Sequence, residues 1–147
     1  MKAFITEHEQ VLVRISPRFS FTVDKGLEKI IGNFWDWGLE TTNSCIDNNG
    51  RIWIEFIDFQ TWERFLRLIF KNNLTVNGKT YLRETLWDFL LEKASISISF
   101  EEMVEDDPDN DNTVIGTGDL FQCIEMRFPK EYFEDFTTLL FEVLPPK

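Results

Sequence analysis

Apolar residues occupy every second position from Gln10 to Ser16 (Val11, Val13, Ile15), the spacing that sends successive side chains to opposite faces of a strand, and Pro17 closes the run. From Asp24 to Trp37 the period changes. Leu27, Ile30, Ile31, Phe34 and Trp37 fall at helical spacing, with Thr22 as a candidate cap and Gly38 as the stop. Leu39 to Ile46 and Arg51 to Ile57 read as two strands joined by Asp47-Asn48-Asn49-Gly50, residues that tolerate positive φ. Asp58 caps a helix carrying Trp62, Phe65, Leu66 and Ile69, which ends near Phe70 where Asn72-Asn73 compete for backbone hydrogen bonds. After a turn at Asn77-Gly78, Leu82, Leu86, Phe89 and Leu90 place a third helix between Tyr81 and Lys93. Ser95 to Phe100 alternates strictly and reads as a half-buried strand. A long acidic loop containing Gly116-Thr117-Gly118 follows, then a strand from Gln122 to Phe128 and a last helix opened by Pro129.

Two of these phrases resemble each other. Ile54-Glu55-Phe56 aligns with Ile124-Glu125-Met126 at an offset of 70, and Trp62-Glu63-Arg64-Phe65 with Phe133-Glu134-Asp135-Phe136 at an offset of 71. Residues 24–71 and 81–143 then share the order helix, strand, strand, helix, which is what a duplicated αββα unit would give; short aromatic helices resemble one another by composition alone, so chance gives the same pattern. Either origin predicts an α+β chain: a two-layer sandwich in which amphipathic helices cover one face of a mainly antiparallel sheet.

Composition narrows this to one domain. The 147 residues are 43% hydrophobic and 15% aromatic, enough for one core and too few for two. No apolar run approaches the roughly 20 residues of a membrane helix, and the first residues lack the order of a secretory signal. Cys45 and Cys123 alone make no disulfide framework, so a reducing cytoplasm is the expected compartment. The net charge is −11, and no Lys/Arg cluster exists to neutralise phosphates, which argues against direct binding of nucleic acid. Glu101, Glu102, Glu105, Asp106, Asp107, Asp109 and Asp111 put seven carboxylates into eleven residues; set aside from −11, they leave only −4 on the rest of the chain.

Candidate chemistry is sparse. Asp107, Asp109 and Asp111 alternate as the first ligands of a calcium loop would, because a hard cation takes several carboxylate oxygens from a turning chain. The pattern breaks where the bidentate Glu is needed, at Gly118, so a solvated tip is the favoured reading and no metal or other cofactor is expected. Cys45 could be a nucleophile only with a base or a cation beside it, and the single histidine, His8, lies far off near the N-terminus. Glu55, Asp58, Glu125 and Glu131 could supply an acid/base pair, though spacing alone pairs none of them. Trp35 lies on the side of its helix away from Leu27, Ile31 and Phe34, and Trp37 ends the same helix, which makes these two the candidate interaction residues.

The chain therefore reads as a non-catalytic acidic domain acting on a protein partner or on itself, through the Trp-rich first helix and the acidic stretch 101–111. The alternative is a small enzyme or ligand-binding domain with a pocket between the two halves near Cys45. A deep polar pocket beside Cys45 would favour the second and an exposed apolar patch the first.

Overall fold

The alternation at the start of the chain forms β1 (Gln10–Ser16), and Pro17-Arg18 turn it back on an antiparallel partner, β2 (Phe19–Asp24). The computed structural model describes residues 9–71, 74–77, 79–81 and 86–147, so His8, Asn72-Asn73, Gly78 and Leu82 lie outside the described residues. Thr22, expected as a helix cap, sits inside β2, because Phe19, Phe21 and Val23 continue the two-residue period. The helix waits for a turn in which the Leu27 N–H donates to the Asp24 carbonyl (3.0 Å) and Gly26 takes φ +103°. It then runs as α1 (Glu28–Asp36) without a side-chain cap.

The next hairpin follows the sequence closely. β3 (Thr41–Ile46) and β4 (Arg51–Phe56) pair antiparallel around Asp47–Gly50, where Asp47 Oδ1 accepts the N–H groups of Asn49 and Arg51. Asp58 caps α2 (Phe59–Lys71) by accepting the Thr61 N–H at 2.7 Å. β5 (Leu74–Val76) and β6 (Lys79–Tyr81) then pair with each other as a separate two-stranded sheet among the described residues. Tyr81 is therefore a strand residue, and α3 spans Leu86–Lys93 among the described residues, with Leu82 outside them.

The acidic stretch departs most from expectation. Instead of a long loop it forms the ends of two long strands, β7 (Ser95–Asp106) and β8 (Val114–Pro129), leaving only residues 107–113 as the tip. Main-chain pairing is indifferent to side-chain charge, and both faces of this ribbon meet solvent, so carboxylates cost little there. Val104 pairs with Gly116, Glu105 with Ile115 and Asp106 with Val114, beyond an irregularity between Glu102 and Val104. Pro129 then opens a 3₁₀ turn (Lys130–Tyr132) that leads into α4 (Phe133–Val143).

The main sheet has the order β3-β4-β8-β7, antiparallel throughout. Ile52, Ile54 and Phe56 from β4 and Ile124, Met126 and Phe128 from β8 are all buried, and the four helices add Phe34, Phe65, Leu90 and Phe136 to the same core. Ring contacts join the layers: Phe34 meets Phe56 edge-on at 5.3 Å, and Phe128 lies 4.7 Å from Phe136. The result is an α+β fold. The helix, strand, strand, helix order occurs in α1 to α2 and again in α3 to α4, with β4 and β8 as inner strands and β3 and β7 outside them. Glu55 and Glu125 are direct cross-strand partners.

The two outer edges are treated differently. On the β3 side the buried Asp24 at the end of β2 accepts the Ile46 N–H (2.7 Å) and a bond from the Gln10 side chain, so the β1–β2 hairpin lies against that edge. On the β7 side, among the described residues, no further strand follows.

Candidate interaction surface

The core face of the sheet continues past the helices onto the ribbon. Register places Ile96 beside Met126, Ile98 beside Ile124, and Phe100 beside Gln122. The partners Met126 and Ile124 are buried, but Ile98 is 52% exposed and Phe100 and Leu120 are each 67% exposed. The expected half-buried strand is thus largely uncovered over Ile96–Phe100, because this outer strand runs beyond the helices that cover β4 and β8. Farther out, Met103, Val104, Val114 and Ile115 are exposed as well. On the other face Phe121 and Met103 line a cleft of about 770 Å³ with Ile57, Phe59 and Thr42.

The tip beyond these residues organises itself. Asp107 Oδ1 accepts the Asp109 N–H (2.9 Å), Asp107 Oδ2 accepts the Thr113 hydroxyl (3.2 Å), and Asn110 Oδ1 accepts the Asn112 N–H (3.2 Å). Of the candidate ligands Asp107, Asp109 and Asp111, the first spends both oxygens within the turn. Among the described residues no three His, Cys, Asp or Glu side chains come together in a way that could hold a metal ion.

The helix-free face of the sheet carries a polar ladder that spacing alone could not reveal. Glu125 accepts from Trp53 Nε1 (2.6 Å) and from the Ser97 hydroxyl (3.0 Å), and it pairs with Arg127 (3.3 Å). Glu55, buried, accepts the Thr42 hydroxyl at 2.6 Å. The guanidinium of Arg127 stacks 5.3 Å from the Trp53 ring. Two carboxylates facing each other across adjacent strands would repel, and these donors offset that cost. Asp58 is committed to its helix cap, and Glu131 sits exposed in the 3₁₀ turn.

Neither cysteine is activated. Burial, then the nearby Asp24 and Asp47 carboxylates, push the half-buried Cys45 thiol upward, the reverse of what a nucleophile needs. Cys123 is buried, and burial with the adjacent Glu55 lifts it to about 11. The first-helix tryptophans are half-buried against their own chain. Trp35 packs on Phe19 and Phe21 (5.4 and 5.2 Å) and donates from Nε1 to the Thr41 hydroxyl (3.0 Å), above a cavity of about 250 Å³. Trp37 Nε1 donates to the Pro145 carbonyl (3.1 Å), and Lys147 Nζ lies 4.6 Å from its ring.

No family model matches the chain, and no curated protein or solved structure is significantly similar to it. Among the described residues no helix is long and apolar enough to cross a membrane. The exposed apolar stripe on the ribbon had a sequence signal in Ile96, Ile98 and Phe100; nothing in the alternation told which face would stay uncovered.

Proposed function

We propose that this chain is a non-catalytic protein-interaction domain whose working element is the β7–β8 ribbon. One observation carries the reading: Ile98, Phe100 and Leu120 form a mostly exposed apolar strip on an arm that is otherwise strongly acidic. A contiguous apolar patch rimmed by charge is the usual anatomy of a contact surface, and large aromatic anchors dominate binding energy at such sites. Acidic residues beyond the strip keep the arm dissolved and reject acidic competitors.

The test compares the intact chain with a Phe100→Ser, Leu120→Ser double variant. Both positions are exposed, so the far-UV spectrum should be unchanged. Size-exclusion chromatography of the chain purified from its source cells should show a stoichiometric complex, with itself or another protein, that the double variant loses. A chain that elutes alone, with an identical profile for the variant, would refute the reading.

A further inference from the structure

We infer that the cleft between the end of α1 and the middle of α2 binds a small organic carboxylate with an apolar body. The inference goes beyond the interaction reading and does not depend on the ribbon.

Trp37, Leu39, Arg64, Arg67 and Leu68 line this cleft, whose volume is about 320 Å³. Helical spacing puts Arg64, Arg67 and Leu68 on one face of α2, while the turn that ends α1 supplies Trp37 and the buried Leu39. Three of the five are apolar, and both charged ones are arginines. Other clefts mix carboxylates with lysines: Asp88, Glu92 and Asp135 with Lys93 between α3 and α4, and Glu28 and Asp36 with Lys29 and Lys147 along α1. In a chain with 26 acidic and 15 basic residues, a cleft lined by cations and no carboxylate selects an anion.

Its walls are held by the chain itself. The Pro145 carbonyl fixes Trp37 through Nε1, Arg64 Nη2 donates to the Gly38 carbonyl (2.9 Å), and Arg67 Nη2 donates to Glu63 (2.8 Å). A guanidinium carries more N–H donors than these bonds use, so both arginines keep some for a ligand. Charge and main chain narrow that ligand further. Glu63 offsets one of the two guanidinium charges, so the cleft suits a single negative charge, a carboxylate, better than a doubly charged phosphate. The N–H groups of Trp37, Gly38 and Leu39 and the Gly38 carbonyl are all bonded within the chain, which leaves an extended peptide no edge to pair with there. What remains is a guanidinium fork for the carboxylate, with Trp37, Leu39 and Leu68 to receive a ring or short chain behind it.

The probe is 3-phenylpropanoate, and its uncharged amide, 3-phenylpropanamide, is the control. Titrated into the full chain labelled with ¹⁵N, the acid should shift the Trp37 indole N–H resonance saturably, and the amide should bind roughly tenfold more weakly. Trp37→Phe identifies that resonance by removing it. Arg67→Gln, at a largely exposed side chain, should keep the far-UV spectrum and weaken the acid roughly tenfold while leaving the amide unchanged, and Arg64→Gln should do the same. Glu63→Gln should tighten the acid, because it removes the carboxylate that competes for Arg67. The Phe100→Ser, Leu120→Ser variant should bind the acid as the intact chain does, so this site and the ribbon stand or fall separately. No saturable shift at Trp37, equal binding of acid and amide, unchanged affinity in both arginine variants, or loss of the shift in the ribbon variant overturns the inference.

Discussion

Taking a thiol out of water beside a carboxylate penalises its ionised form, and Cys123 is placed that way, fully buried with Glu55 at its side. Its folded-state pKa rises from 9.0 to about 11, so the unfolded chain ionises first. The stability this thiol contributes is complete below the unfolded value and is lost as pH climbs through the folded one. At about 1.4 kcal/mol per pH unit, the loss amounts to roughly 2–3 kcal/mol. Urea unfolding under reducing conditions across this interval should show the decline, and Cys123→Ala should flatten it from a lower starting stability. A slope unchanged in the variant would mean that another group controls the alkaline limb. Both thiols should also resist an aromatic disulfide reagent until the chain is unfolded.

At the level of elements, the buried Asp24 carboxylate joins the β1–β2 hairpin to the β3 edge of the main sheet. Asp24→Ala leaves the Ile46 N–H without its acceptor and should cost about 1.5–3 kcal/mol, the range for a hydrogen bond to a charged group. Hydrogen exchange should quicken at Ile46 first, while the Ile54 amide in the interior of the sheet holds. Equal acceleration at both would show that the hairpin does not come away separately.

Elements whose rules are local were legible in the chain. Asp58 announced a cap and is one, and Asp47 to Gly50 announced a hairpin and form one. Thr22 misled because a strand residue next to a polar turn looks the same as a helix cap until the partner strand is known. The long strands β7 and β8 were hidden for a related reason: what holds Glu101 to Asp106 in place is main-chain pairing with Val114 to Phe121, which leaves no trace in hydrophobic spacing. The ladder joining Trp53, Ser97 and Glu125 unites residues from three strands and could not be read from any one of them. We propose that the two αββα stretches are copies. What supports this is that Glu55 and Glu125, aligned at an offset of 70 in the chain, are also the residues that face each other across the inner strands.

Seen as a whole, the molecule separates its charge from its core. Much of the −11 lies on one arm, away from the helices, so the packed layers carry little self-repulsion while the arm carries much. The seam between β4 and β8 has another consequence. Every strand of the main sheet finds its hairpin partner within its own half, β3 with β4 and β7 with β8, and β5–β6 between the halves forms a separate two-stranded sheet among the described residues. The peptide linker there acts chiefly by raising the effective concentration of one half near the other. Chains cut into residues 1–72 and 73–147 should therefore reassemble on mixing at micromolar concentration, driven by Ile52, Ile54 and Phe56 closing on Ile124, Met126 and Phe128. Recovery of the near-UV tryptophan signal only in the mixture would show it, and two fragments that each aggregate alone and never combine would mean that the halves cannot find their seam without the tether.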